Sequence, residues 1–385
     1  MMNLSFIIPS YNNIKHLKNV YSSIKRHANE CEIIFLDDGS TDETWEWLQS
    51  IKNENIKLYK SETRVGHTVL YDVGINLASN EIVGILHADM IVGPNYVKNI
   101  LKHLKRGSVV CGTRIEPPLH PSGKEKIIEN FGIDFDDLNI KKFESFCLEQ
   151  QLKNKDQITK GMFAPWVIYK SDFLSIGGHD HVFAPFPYED SDIFQRWILN
   201  GYELIQSRDA FVYHLTCRGH RWTQKIQKDD DFYKKCVYKN TRNFIRKWQS
   251  WIKNDEYSYP IIKNKYNIGF VIKNCSLDIL QYVEPWCSTV YSDCKEYQNY
   301  IEKNQKDTCV NLQSKLQHIN STKTNDIIIE FDARMLNNDR FNFITDQLSD
   351  ILTDSGELGE MEFDIFKFNI KSLKTYQKDL IKVTN

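Results

Sequence analysis

Glu81-Ile82-Val83-Gly84-Ile85-Leu86-His87-Ala88-Asp89-Met90-Ile91 is the stretch that decides how the chain folds. Ile82 to Leu86 are apolar or glycine throughout, the pattern of a strand buried on both faces. His87 and Asp89 stand at its carboxyl end, and Gly93-Pro94 turns the chain into a second amphipathic run. In open α/β sheets, ligands bind outside the carboxyl ends of strands. An Asp beside a His at such an edge suits a metal ion and a phosphorylated ligand.

Working outward, the same grammar repeats. Leu4 to Ile8 is a buried-strand run closed by Pro9, and Asn12 or Asn13 can cap a helix with Leu17, Tyr21 and Ile24 on one face. Glu32 to Leu36 is a second strand, ending in Asp37-Asp38-Gly39-Ser40-Thr41-Asp42. Ser40 with Glu43 has the spacing of a capping box, which predicts a helix start. Ile56 to Tyr59 is a third strand and Thr68 to Ala78 a helix. The order β-α-β-α-β-α-β predicts a mainly parallel sheet with helices on both faces.

Beyond it, Tyr96–Leu104 reads as a helix and Val109 to Gly112 as a strand. Residues 116–123 read as a loop, and 124–155 as helical pieces. Gly161 to Tyr169 reads as a strand. Pro185-Phe186-Pro187-Tyr188-Glu189-Asp190 excludes regular structure, with a helix starting at Ser191 or Asp192. Tyr202–Gln206 and Ala210–Leu215 read as two short strands, with His214 near the end of the second. Arg218 to Trp222 is a polar, aromatic loop, and residues 228–252 form a long helix.

The totals bound the reading. With 385 residues there is room for two or three cores. A formal charge of −2 gives no footprint for general nucleic-acid binding. Nine cysteines occur without a Cys-x-x-Cys pair, the usage of a reducing, cytoplasmic compartment. No signal-peptide pattern and no membrane-spanning apolar run is expected.

Residues 254–265, with Pro260, read as a linker. The remainder, 266–385, echoes the first half. Asn267 to Ile272 reads like Asn3 to Ile8, and Thr289-Val290-Tyr291 ends near Asp293. Ile327 to Leu336 aligns with Ile82 to Ile91, setting Asp332 on His87 and Arg334 on Asp89. This predicts a second, smaller α/β domain, either a degenerate copy of the nucleotide-binding half or an unrelated piece of similar type.

Four pieces, in order, resemble family 2 glycosyltransferases of the GT-A fold over residues 3–222. They are Phe6-Ile7-Ile8-Pro9-Ser10-Tyr11-Asn12, Asp37 to Asp42, His87-Ala88-Asp89, and Gly177-Gly178 with Glu189-Asp190-x-Asp192, Gly201-Tyr202 and His214. The resemblance implies a GT-A-type Rossmann-like sheet and a catalytic domain spanning 1–253. It assigns Pro9, Tyr11, Asp38, His87 and Ala88 to the nucleotide, with Asp38 accepting the imide N–H of uracil. Asp89 and His214 would hold a divalent metal, Mn²⁺ or Mg²⁺. Asp190 would be the general base with Glu189 beside it, in an inverting transfer from a nucleotide sugar, a UDP-sugar foremost, to an acceptor hydroxyl. Acceptor-side candidates are Trp166, Asp192 and Trp222, the two tryptophans having core packing as their alternative.

The chain departs from the family pattern in three places. His87 stands where the family usually has Asp. Leu70-Tyr71-Asp72 replaces the usual Ala-Arg-Asn, making Arg64 or Arg114 the candidate substitute for the lost arginine. Residues 116–160 match no family feature. Each motif also has a structural reading: a turn and cap for Asp37–Ser40, an acidic helix start for Glu189-Asp190, a core histidine for His214. Two other functions are weighed. A non-catalytic nucleotide-sugar or glycan-binding protein would carry a decayed site. A sugar nucleotidyltransferase would need a glycine-rich basic loop after the first strand, which Pro9 to Asn13 lacks. A glycan, lipid-linked or protein acceptor, peripheral membrane contact through that acceptor, and a homo-oligomer are left open by the sequence.

Overall fold

The computed structural model describes residues 4–216, 218 and 231–384. By packing, the chain divides into Met1–Val237 with Asn254–Ile261, and Tyr238–Lys253 with Ile262–Asn385. Of the segment read as a linker, 254–261 packs with the first unit and 262–265 with the second.

The first unit holds ten strands: β1 (Leu4–Ser10), β2 (Glu32–Asp37), β3 (Ile56–Lys60), β4 (Ile82–Ile85), β5 (Met90–Val92), β6 (Ser108–Glu116), β7 (Lys126–Ile128), β8 (Ile158–Thr159), β9 (Trp166–Tyr169) and β10 (Glu203–His214). They form one sheet in the order β3-β2-β1-β4-β9-β6-β10-β5, with β7 beside β6 and β8 beside β10. β3, β2, β1 and β4 run parallel, as do β6 and β10. β9 is antiparallel to both β4 and β6, and β5 is antiparallel to β10. The mixed α/β class and the largely parallel sheet follow the expectation.

Strand pleating explains why these segments look uniformly apolar. On β1 and β2, Phe6, Ile8, Ile33 and Phe35 face one way, into a core with Leu17, Val20, Ile24 and Leu48 from the helices Ile14–His27 and Thr44–Ser50. Ile7, Ile34 and Leu36 face the other way, onto Leu70, Ile75, Phe173, Ile193 and Trp197. Helix His67–Leu77 lies so close to β1 that a Cβ on Gly74 would meet Ile7 Cγ2 at 2.4 Å. Gly74 is therefore needed for that approach.

Several boundaries differ from the sequence reading. The capping box does not form: helix Thr44–Ser50 has no side-chain cap bond, and Ser40 Oγ accepts from the Asn12 backbone N–H at 2.9 Å. Asn12 Oδ1 in turn accepts from Thr41 N, at 2.7 Å, so the two polar residues stitch the loop after β1 to the loop after β2. The two strands expected over 202–215 are one, β10, with a register shift between Gln206 and Phe211. Gly161 to Ala164 lie outside β9, and the helix expected from Ser191 or Asp192 begins at Glu189. Residues 124–155 contain β7 and the helix Ile140–Lys153.

The second unit contains β11 (Ile268–Lys273), β12 (Thr289–Ser292), β13 (Leu316–His318), β14 (Ile327–Asp332), β15 (Gly359–Phe363) and β16 (Phe366–Ile370). Their order is β13-β12-β11-β14-β16-β15. β13, β12, β11 and β14 are parallel, and β16 is antiparallel to β14. β15 and β16 form an antiparallel hairpin, and β13 was not foreseen.

Helix Asp231–Trp248 gives this unit two arginines that meet one buried carboxylate. Glu284 is fully buried and accepts from Arg246 Nη2 at 2.8 Å, Arg242 Nη2 at 3.1 Å, Lys315 Nζ at 2.9 Å and Tyr300 Oη at 2.7 Å. Burial alone would raise its pKa, but Lys315, Arg246 and Arg242 outweigh burial and hold it well below the usual carboxylate range. Removing that charge strands three cations in a dry environment. Glu284→Ala is expected to cost about 3–5 kcal/mol, read as a lowered unfolding midpoint of the full chain in urea. Because the folded pKa is depressed, this stabilisation is present above about pH 4.3, the unfolded value, and is lost only as pH falls through the lower folded value.

Candidate active site

The candidate site lies where the parallel strands of the first unit end. A cavity of about 300 Å³ is lined by Pro9, Ser10 and Tyr11 after β1, Asp38 after β2, and His87, Ala88 and Asp89 after β4. His214 and Thr216, at and beyond the end of β10, close another wall. Seven residues singled out from sequence thus share one cavity: Pro9, Tyr11, Asp38, His87, Ala88, Asp89 and His214.

Asp38 is 4% exposed, and its carboxylate accepts from the backbone N–H groups of Val65, at 2.7 Å, and Gly66, at 3.0 Å. Burial raises its pKa, opposed by those two hydrogen bonds and by Arg64. Gly66 has φ +89°, and a Cβ there would meet Pro185 at 2.2 Å, so the loop that holds Asp38 tolerates only glycine. Tyr11 carries the Arg64 guanidinium over its ring at 4.1 Å.

His87, Asp89 and His214 each present a ligand atom, all within 4.8 Å of one another. Asp89 is 2% exposed. Its Oδ2 accepts from Arg218 N at 3.1 Å, whereas Oδ1 is buried without a hydrogen-bond partner among the described residues. His214 Nε2 lies 3.7 Å from that oxygen, and its Nδ1 lies 2.9 Å from Glu116 Oε1. An orphaned carboxylate oxygen facing two imidazoles is a donor set that fits a divalent cation. His87, assigned to the nucleotide from sequence, reaches the same point.

Among the described residues, Glu189 and Asp190 do not line the cavity, but His67, the partner of Glu189, does. Tyr188, just before the helix Glu189–Leu199, has a left-handed backbone with φ +86°, which a tyrosine adopts at a cost. Glu189 is buried, and its Oε1 lies 2.6 Å from His67 Nε2. Burial drives the two partners in opposite directions, raising Glu189 and lowering His67. Burial thus favours the neutral form of each partner. Asp190 is exposed, yet crowding by the protein and then the neighbouring Glu189 push it up to about 6. It acts electrostatically on His67 and Tyr71, both of which line the cavity.

The acceptor-side candidates do not gather here. Trp166 is fully buried and packs edge-on against Trp197 with ring centres 5.1 Å apart, so it offers no face to a ligand. Asp192 is fully buried and accepts from Arg196 Nε at 2.7 Å. Trp222 lies outside the described residues. In return, the cavity includes residues not singled out before: His67, Glu116, His120, Lys126, Phe186 and Tyr233. Only the late position of Glu116 in an apolar strand run could have marked it.

Residues 5–169 match the family model described as glycosyl transferase family 2. Over 117 residues the chain is 28% identical to a dolichol-phosphate mannosyltransferase of Pyrococcus furiosus, covering 29% of this chain and 33% of the relative. Over 237 residues it is 24% identical to a validoxylamine A glucosyltransferase of Streptomyces hygroscopicus subsp. jinggangensis, covering 54% of each. The chain thus spans between a third and about half of these relatives. A solved structure of GalNAc-T7 with UDP, GalNAc and Mn²⁺ aligns with TM-score 0.42 and 16% identity, over 55% of this chain and 42% of that one. Among the described residues, no helix is long and apolar enough to cross a membrane.

The displaced acidity is measurable without a substrate. In a carbon-13 carboxyl titration, Asp190 is expected to titrate near pH 6, and nearer its ordinary range in Glu189→Gln. A raised folded pKa means the folded chain binds the extra proton, so this group's contribution to stability declines as pH rises from about 4 to 6.

Proposed function

We propose that the chain, a family 2 glycosyltransferase by the match of its N-terminal part, transfers a sugar from a nucleotide sugar to an acceptor hydroxyl with inversion. The observation that carries this reading is the convergence of Pro9, Tyr11, Asp38, His87, Asp89 and His214 on one cavity at the strand ends. A UDP-sugar is the favoured donor, because Asp38 keeps a buried carboxylate at the cavity wall that can accept an imide N–H.

The chemistry follows from the residues present. The acceptor oxygen forms a bond to the anomeric carbon as the bond from that carbon to the diphosphate oxygen breaks. The electron pair of the broken bond leaves on the diphosphate. Asp190 takes the acceptor proton, and a pKa near 6 suits it, being ionised near neutral pH yet basic enough to receive a proton. Burial favours the neutral forms of Glu189 and His67 beside it, and the charge that Glu189 does carry raises Asp190 further. His87, Asp89 and His214 would hold a divalent cation, Mn²⁺ favoured by the imidazoles, which would offset charge on the diphosphate. Arg64, against Tyr11, is the nearest replacement for the family arginine displaced by Tyr71.

The second unit reads as a degenerate copy without a nucleotide site. The order β3-β2-β1-β4 followed by antiparallel β9 corresponds to β13-β12-β11-β14 followed by antiparallel β16. The register supports it as well: Leu4 pairs with Ile82, and their counterparts Ile268 and Ile327 also pair. At the counterpart of Asp89 stands Arg334, which is closed onto Asp332 at 2.6 Å.

Calorimetry with UDP, GDP and dTDP, each with and without Mn²⁺, tests both readings. Mn²⁺-dependent binding of UDP is expected at one site per chain, absent in Asp89→Ala and unchanged in Arg334→Ala. Metal-independent binding of every nucleotide would remove the cation from the reading. Asp190→Asn is expected to abolish transfer, a loss of at least about 10²-fold, with UDP affinity preserved. Full transfer by that variant would free Asp190 of its role.

A further inference from the structure

We propose that Glu116 is a positioning residue that fixes the orientation and tautomer of His214, so that Nε2 faces Asp89 as a ligand atom. This rests on the reading of His87, Asp89 and His214 as a divalent-cation site.

The placement comes from the sheet register. On the parallel pair β6 and β10, Arg114 lies beside Val212 and Ile115 beside Tyr213. One step on, Glu116 lies beside His214. Ile115 and Tyr213 point to the other face, into a core with Phe131 and Phe143. Glu116 and His214 therefore share the face that looks into the cavity, which both line.

The bonding leaves Glu116 little freedom. It is 2% exposed, and both oxygens are occupied. Oε1 accepts from His214 Nδ1 at 2.9 Å and from Arg114 Nη1 at 3.1 Å, and Oε2 accepts from Lys126 Nζ at 2.9 Å. Lys126 is on β7, directly across from Arg114 in the ladder. Arg114 is itself braced over the Phe163 ring at 3.9 Å. A carboxylate flanked by two fixed cations can only accept, so His214 must donate from Nδ1.

A neutral imidazole that donates from Nδ1 carries its lone pair on Nε2. That atom lies 3.7 Å from the orphaned Asp89 Oδ1. The separation is too long for a hydrogen bond and compatible with two ligands sharing one ion. Metal-binding histidines give their other ring N–H to such an acceptor, and loss of the acceptor weakens metal binding about 10–100-fold. A plain core ion pair would need neither the imidazole nor the oxygen left open beyond it.

The test uses the full chain with saturating UDP and Mn²⁺ followed by electron paramagnetic resonance. Glu116→Gln, which keeps shape and an acceptor but loses the charge, is expected to weaken Mn²⁺ binding about 10–100-fold. Lys126→Met is expected to weaken it less, in the same direction. In the metal-free wild type at pH 8, nitrogen-15 spectra of His214 are expected to show Nδ1 protonated and Nε2 bare, a measurement that needs no variant to fold. Unchanged Mn²⁺ affinity in Glu116→Gln, with binding lost in Asp89→Ala, would overturn the proposal and leave the cation site standing. No Mn²⁺ binding by the wild type would overturn the site and the proposal together. An Nε2–H tautomer of His214 in the wild type would overturn the proposal alone.

Discussion

The site depends on one backbone constraint, the four-residue step from β4 to β5. Leu86 N–H donates to the Ile7 carbonyl at 3.0 Å, so the step begins anchored to β1. Met90 N–H donates to the His87 carbonyl at 3.1 Å, which folds the step into a turn. The Asp89 carbonyl then accepts from Leu215 N–H at 3.1 Å, and Met90 pairs with His214. Two strands at different positions in the sheet are thereby tied to one short turn. His87 and His214, 127 positions apart in sequence (214 − 87), face each other with ring centres 6.0 Å apart. Side chains held by paired backbone need no ordering when a ligand arrives, which removes an entropic cost of binding.

The same geometry sorts the acids of the site into different roles. Glu116 lies among cations, and although burial would raise its pKa, His214, Arg114 and Lys126 hold it well below the usual range. Glu189 has an imidazole as its close partner, and burial pushes it up to about 7. Asp190 is one residue further on but exposed, and settles between these extremes. Three carboxyls of similar intrinsic acidity are therefore displaced in different directions and by different causes. Environment, and not residue type, makes the distinction.

What was legible in the sequence was whatever leaves a local periodic trace. Both-face burial of β1, β2 and β4 shows as unbroken apolar runs, and the residues at their ends are candidates by position. Pro9, Asp38 and Asp89 were found that way. What was not legible depended on pairings between distant segments. Glu116 gains its meaning from side-chain bonds to His214 on β10 and Lys126 on β7, strands whose pairing no local pattern encodes. Ser40 with Glu43 had the spacing of a capping box, but Asn12, 28 residues away, offered its N–H to Ser40. Trp166 looked available because aromatic residues near a site often are, yet strand pleating turned it into the core.

The departures from the family pattern are answered by neighbouring residues. A carboxylate in place of an amide at position 72 brings a charge into a crowded wall. His179 Nδ1 lies 2.7 Å from Asp72 Oδ1 and His181 Nε2 lies 3.0 Å from Oδ2. Burial would raise the pKa of Asp72, but His179 and then His181 outweigh it and hold it down. His179 also supports Tyr71, with ring centres 5.5 Å apart, where the family has arginine. His87 stands where an acid is usual, and it falls within reach of Asp89 and His214. A site drifting free of selection accumulates unpaired charges and holes, each costing stability. Here the substituted residues at 71 and 72 meet partners of matching charge and shape.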